Sequence, residues 1–223
     1  MGSVPPTVLR DGPYGPGSCQ LWIEAVEPPL VDFAPELPAG WHAIASAEGG
    51  LLGHADDPGL ARIAAYDGIV NNADRKGGHL LRDADQHVYG IDHGVCFHTE
   101  DKLRTVLWGW AGEPLPTEIT GVLGHLKVAL DRELGSALAA HLTRSEVDAV
   151  GSRIDRMLGA GKYPEPSDRW PPCPGRPCSG AGPGLTHAAL ARAPRPARAA
   201  PLGVTARAVI HPTSPARRLT TAN

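Results

Sequence analysis

The sequence predicts an α+β fold, mostly helical with short hairpins, on three observations. Apolar residues recur at helical spacing over 57–72, 117–142 and 145–159. Short apolar runs bounded by Gly and Pro lie at 6–26 and 80–91, the pattern of paired strands. Charge also divides the chain: residues 171–223 hold seven Arg and no Lys or acidic residue, leaving 14 basic against 24 acidic side chains before them. With 223 residues and 42% hydrophobic content, the acidic part is long enough for one medium domain.

The elements follow in order. "PTVLRDGPYGPGSCQLWIEAV" contains two apolar runs separated by Gly and Pro, consistent with two strands and a connection. Residues 27–53, rich in Pro and Gly, predict a long surface excursion. A helix then starts with Asp57 as cap and Pro58 in its first turn, carries Leu60, Ile63, Ala64 and Val70 inward, and ends at Asn71 and Asn72. Asn tolerates the left-handed conformation, so Asn71 reads as a helix stop. Leu80 to Leu81 and His87 to Ile91 predict short strands joined by a polar turn at Asp83 to Gln86. The stretch 117–142 predicts one long helix with Ile119, Val122, Leu123, Leu126, Leu130, Leu134 and Leu138 on its inner face. A last helix is expected to be capped by Ser145, with Asp148 three residues on, and to stop at Gly159.

Composition excludes several functions. An acidic body argues against nucleic-acid binding, which needs Lys and Arg clustered on the folded face. No apolar run approaches the roughly 18 residues of a transmembrane segment, and "MGSVPPTVLRDG" lacks a signal-peptide layout. Pro6 also breaks the myristoylation pattern, so the expected location is cytoplasmic. Cys19, Cys96, Cys173 and Cys178 are too scattered for a disulfide scaffold, and a zinc site on Cys173 and Cys178 would need two more ligands. The residues after 170 hold ten Pro and few groups able to bury apolar surface, so the tail is expected to be disordered. Its composition fits either an extended or frameshifted reading frame, or a basic arm for anionic lipid or nucleic acid.

Chemistry concentrates in "NNADRKGGHLL" (71–81) and "IDHGVCF" (91–97). A helix feeding a loop, then a hairpin, then a second loop would bring Asp74 and Asp92 to one rim. There one carboxylate can orient or deprotonate a hydroxyl, while the other holds a divalent cation bridging nucleotide phosphates. Gly77 and Gly78 would let the chain turn closely beneath a ligand. Alternatively, Asp74 caps a helix end and Asp92 occupies an ordinary surface turn. Lys76 and Arg75 can steer phosphate, or Arg75 can brace the loop by pairing with an acid. Trp108 and Trp110 suit burial better than an amphipathic rim.

Together with "LRTVLWGWAGEPLP", these segments resemble the catalytic region of the phosphatidylinositol 3-/4-kinase superfamily. The resemblance spans about residues 4–160 and is nearest to type II phosphatidylinositol 4-kinases and an actinobacterial kinase-like family. It implies a protein-kinase-like large C-terminal lobe with Asp74 and Arg75 in the catalytic loop and Asp92 as cation ligand. It further implies that "QLWIE" is the last small-lobe strand entering the hinge, so that Leu21, Trp22, Ile23 and Glu24, with Lys76, contact nucleotide. The implied division is 1–26 as residual small-lobe strands and hinge, 27–162 as the large lobe, and 163–223 as tail. Nothing before Val4 can encode the glycine-rich loop and Lys of a complete kinase, so most of the N-terminal lobe is expected to be missing.

The kinase template places Asn five residues after the catalytic Asp; here that position is His79. Imidazole suits Mg2+ poorly, so His79 either favours Mn2+ or hydrogen-bonds Asp92. His93 is expected to pack or hydrogen-bond locally. The implied activity is metal-dependent transfer of the ATP γ-phosphoryl group to a hydroxyl on a small molecule, a lipid headgroup or a protein acceptor. Two rivals remain at this point: a noncatalytic nucleotide-binding or scaffolding fragment, and a metal-dependent phosphohydrolase using Asp74, His79, Asp92 and His93.

Overall fold

A computed structural model describes residues 2–167 and 171–174. Its first element is a hairpin of β1 (Thr7–Gly12) and β2 (Gly15–Gln20), paired antiparallel from Thr7↔Gln20 to Gly12↔Gly15. Every residue of both strands is exposed. Residues 21–26 follow as irregular chain, so "QLWIE" is not the expected hinge strand beyond Gln20.

The stretch expected to be a surface excursion instead contains a sheet. β3 (Val31–Ala34), β4 (Trp41–Ala47) and β5 (Gly50–Ala55) pair antiparallel in the order β3-β5-β4. The prolines lie before and between β3 and β4, and the strands use Ala, Gly and His on their inner positions. Strand signals rest on β-branched and aromatic residues, so this composition hides them. Ile44, Ala45 and Leu52 nevertheless enter the core.

Helix α1 (Pro58–Val70) begins as the sequence predicts. The Asp57 carboxylate accepts from the Gly59 and Leu60 backbone N–H groups, and Pro58 supplies a first-turn residue that has no N–H to lose. It ends at Asn71 in the left-handed conformation, with φ 57°. β6 (Leu80–Arg82) and β7 (Val88–Gly90) form the expected short hairpin.

The segment 117–142 divides into α2 (Thr117–Leu130) and α3 (Glu133–Ala139). Ile119 and Leu123 are buried and Leu126 and Leu130 pack against the core, whereas Val122 faces solvent at 59% exposure. The inward stripe is therefore narrower than the apolar pattern suggests. Helix α4 (Arg144–Ala160) is capped by Thr143 in a reciprocal box with Glu146, two residues before Ser145, and closes on Gly161 rather than Gly159.

These elements overturn the expected mostly helical kinase large lobe: the structure is 34% helix and 23% strand, with three antiparallel sheets beside its four helices among the described residues. The single core joins the β3-β5-β4 sheet, α1, α2 and α4 through Ile44, Leu60, Ile63, Leu123 and Ile154. Trp108 and Trp110 are buried in it. Between them, Gly109 lies where an added Cβ would come within 2.5 Å of both His42 and His54, so only glycine lets this turn close on the imidazoles.

The start of the segment assigned to the tail packs onto this body. Tyr163 and Cys173 are buried, and the Pro172 carbonyl accepts from the Thr105 N–H and the Trp108 indole. Cys178, and with it the two-cysteine zinc reading, lies outside the described residues, as do most of the positions read as a disordered tail. Among the described residues no helix is long and apolar enough to cross a membrane.

Candidate functional site

The site is built around an acid inside α1. Asp67 is fully buried on an otherwise apolar helix face, and burying an ionised carboxylate is costly unless charge and hydrogen bonds compensate it. Both are present. Arg75, also fully buried, donates from Nε to Asp67 Oδ2 at 2.8 Å and from Nη2 to Oδ1 at 2.9 Å. Asn72 donates from Nδ2 to the same Oδ1 at 3.1 Å. Of the two roles open to Arg75, the geometry is that of bracing.

The brace extends into the second motif. Arg75 Nη1 donates to the Ile91 carbonyl, and Nη2 lies 2.9 Å from His93 Nε2. His93 also meets the edge of the Tyr66 ring, so it packs and hydrogen-bonds locally as expected. Burial, then the adjacent Arg75 charge, pushes the His93 pKa down. The backbone adds a second tie, because the Ile91 N–H donates to the His79 carbonyl at 2.9 Å. Between its anchored neighbours Ile91 and His93, Asp92 adopts a left-handed φ of 56°. Asp is among the non-glycine residues that enter this conformation most readily, and its anchored neighbours hold it there.

His79 and Asp92 are consequently neighbours, with His79 Nε2 3.4 Å from Asp92 Oδ2. His79 is the more buried; Asp92 keeps about half of its side chain in solvent. Burial lowers the His79 pKa, with Arg75 and Lys76 adding to the effect and Asp92 and Asp74 opposing it. A neutral imidazole retains the lone pair that metal ligation needs.

Asp74 is held by different partners. Its N–H donates to Asn72 Oδ1 at 3.0 Å, and its carboxylate accepts from Arg104 Nη2 at 3.0 Å and Lys76 Nζ at 2.7 Å. Partial burial pushes the carboxyl pKa up, but the hydrogen bonds and charges of Lys76 and Arg104 outweigh it and leave the pKa lowered. Asp74 and Asp92 both act on His79 electrostatically. The described contacts tie Asp74 to Lys76 and Arg104, and Asp92 to His79 and the Gly94 N–H.

Beside this loop lies a cavity of about 350 Å³, walled by Ala25–Val31 on one side and Gly77, Gly78 and Leu80–Arg82 on the other. Its chain-entry wall is therefore residues 25–31 rather than Leu21–Glu24. Leu21 and Trp22 are 58% and 83% exposed, and Trp22 donates from its indole to Glu24. The Val26 N–H donates to the Arg82 carbonyl and closes the cavity's end.

Sequence reading missed Asp67, Asn72 and Arg104. Asp67 left a usable signal, an acid at an inward position of an apolar helix, which predicts a buried cationic partner. Arg104 lies 30 residues from Asp74 and left no local signal.

Comparison with known proteins adds one finding. The chain is similar to Protein Rv2133c of Mycobacterium tuberculosis. The two are 42% identical over 185 residues, which take in 75% of this chain and 66% of that protein. The chain thus spans just under two thirds of the relative's length. No family model and no solved structure matches it.

Among the described residues no cluster of three or more His, Cys, Asp and Glu side chains is arranged to hold a metal. Two protein donors do converge, His79 Nε2 and the Asp92 carboxylate. A cation that bridges nucleotide phosphates takes most of its remaining ligands from phosphate and water, so a two-donor set fits that role and does not fit a permanent structural metal.

Proposed function

We propose that this protein is a metal-dependent phosphotransferase, related to the phosphatidylinositol 3-/4-kinase superfamily, that moves the ATP γ-phosphoryl group to a hydroxyl acceptor in the cytoplasm. The observation that carries the reading is the buried Arg75–Asp67 pair, which fixes Ile91 and His93 and so sets Asp92 against His79. The proposal rests on this site and not on a kinase fold, since one chemistry recurs on different architectures.

In this reading His79 and Asp92 hold Mg2+ or Mn2+, which screens the phosphate charge when bound. Asp74, ionised and oriented by Lys76 and Arg104, accepts a hydrogen bond from the acceptor hydroxyl and positions it. Lys76, half exposed and paired with Asp74, would meet a transferring phosphoryl group. The cavity between 25–31 and 77–82 would take the nucleotide base, which makes Ala25 and Val26 better candidates than Leu21–Glu24 for its contacts.

A noncatalytic nucleotide-binding role is the second reading, and one observation favours it: Lys76 and Arg104 already neutralise Asp74, which weakens it as a base. Calorimetry with Mn2+ and a nonhydrolysable ATP analogue, followed by a γ-phosphoryl transfer assay over lipid, small-molecule and protein hydroxyls, separates the two. Binding with transfer supports the phosphotransferase, binding without transfer supports the second reading, and absence of metal-dependent binding removes both.

A further inference from the structure

A second cavity, of about 270 Å³, lies between the C-terminal half of α4 and residues 160–165, with Gly68 of α1 in its wall. Arg153, 7% exposed, donates from Nε to the Ile69 carbonyl at 2.7 Å and from Nη1 to the His98 carbonyl at 3.1 Å. These carbonyls hold the guanidinium at the C-terminal end of α1, where the helix dipole is favourable to a cation. Among the described residues its Nη2 has no hydrogen-bond partner, and no carboxylate forms an ion pair with it. Asp101 acts on it electrostatically without forming an ion pair, so the desolvation of this guanidinium is only partly offset.

The same wall contains a second orphan. Tyr163 is 5% exposed and its hydroxyl has no hydrogen-bond partner among the described residues. Neither atom has solvent-exposed surface, so a ligand reaches them only by displacing neighbouring side chains. Arg156 and Lys162 stand at the more exposed part of the wall. The lining carboxylates are Asp101, which reaches Arg156 at 3.4 Å, and Glu165. Three cations against two acids leave the cavity positive.

We propose that this cavity is a binding site for a phosphoryl group, seated against Arg153 and Tyr163 and closed over by Arg156 and Lys162. Geometry favours phosphoryl over carboxylate. Arg153 has spent Nε and Nη1 on backbone carbonyls, so the fork that grips a planar carboxylate through two parallel bonds is incomplete. What remains is one guanidinium nitrogen, one hydroxyl and two cations on separate residues, a set that suits a tetrahedral group with several acceptor oxygens. The site is independent of the Asp92–His79 pair and of the phosphotransfer reading.

The test titrates inorganic phosphate, and separately acetate at matched ionic strength, into the full chain by calorimetry. It also measures sedimentation with phosphatidylcholine vesicles with and without phosphatidic acid. Expected is phosphate binding in the millimolar range or tighter, with acetate much weaker. Tyr163→Phe should weaken phosphate about fivefold by loss of one hydrogen bond, and joint Arg156→Ala and Lys162→Ala replacement should weaken it further. These variants spare the backbone ties of Arg153, whose own replacement would disturb the ends of α1 and the 98–101 loop. Lys76→Ala reports on the other site and should leave this affinity unchanged. Capture only by phosphatidic acid vesicles, lost in the same variants, supports the site with a lipid headgroup as source. No binding of either form, equal binding of acetate, or binding insensitive to Tyr163→Phe and to the Arg156 and Lys162 pair overturns it.

Discussion

Arg75 and Asp67 are both wholly buried, eight positions apart, and joined by two parallel hydrogen bonds of 2.8 and 2.9 Å. The same guanidinium carries the Ile91 carbonyl and His93, so one buried charge pair links the end of α1 to the loop bearing Asp92.

Removing either partner leaves the other as an uncompensated buried charge. Asp67→Ala should therefore destabilise the fold by about 3–5 kcal/mol. Arg75→Lys should also destabilise it, since an ammonium cannot satisfy two Asp67 oxygens and Ile91 from one position. Urea unfolding followed by circular dichroism measures both; a loss below about 1 kcal/mol for Asp67→Ala, the scale of an exposed ion pair, would show that the pair is dispensable.

Much of this arrangement was readable in advance, and what was not has a physical reason. The start and stop of α1 depend on local chemistry, Asp57 with Pro58 and then Asn71, and the sequence displays both. The His79–Asp92 contact was open to reading because a short hairpin separates the two, whereas Asp74 pairs with Lys76 and Arg104. The β3-β5-β4 sheet was not, because its stabilising pairs, such as His42↔His54 and Ala43↔Gly53, use residues with little intrinsic strand preference. The break between α2 and α3 was hidden because the apolar spacing runs through it. The roles of Asp67 and Arg104 depend on contacts made only after the chain has folded back on itself.

Asp92 provides a test in which stability and ligand binding part company. Its φ of 56° costs a non-glycine residue about 1 kcal/mol or more, and Gly adopts this conformation without steric penalty. Asp92→Gly should thus be as stable as the native protein or slightly more so, and Asp92→Ala less stable, while both lose Mn2+-dependent nucleotide binding. Calorimetry paired with thermal unfolding decides. Retained cation affinity in the Gly variant would remove Asp92 from the cation site.

His79 should set the metal preference. An imidazole donor suits Mn2+ better than Mg2+, which prefers oxygen ligands. His79→Asn offers an amide oxygen at the same position, so the ratio of Mn2+ to Mg2+ affinity in the nucleotide complex should fall by about tenfold or more, a change of roughly 1.4 kcal/mol. Paramagnetic resonance of bound Mn2+ in competition with Mg2+ measures that ratio without reference to turnover. An unchanged ratio would mean that His79 supports Asp92 without touching the ion.

Acid should weaken the fold through His54 before the carboxylates titrate. This imidazole is fully buried, lies 2.9 Å through Nδ1 from the Ala55 carbonyl and accepts at Nε2 from the Gly109 N–H, which fits a neutral ring protonated on Nδ1. Burial pulls its pKa from 6.5 down to about 4. Because the unfolded chain takes up the proton first, the stability associated with the neutral ring is fully present above pH 6.5 and is lost as pH falls from there through about 4. A shift of this size corresponds to about 3 kcal/mol across the window, and the lowered pKa values of His79 and His93 act in the same direction. His54→Gln, whose amide can still accept from Gly109, should unfold more easily at neutral pH but show a flatter decline between pH 6.5 and 4. Equal slopes for the variant and native protein in urea unfolding over that range would place the proton uptake elsewhere.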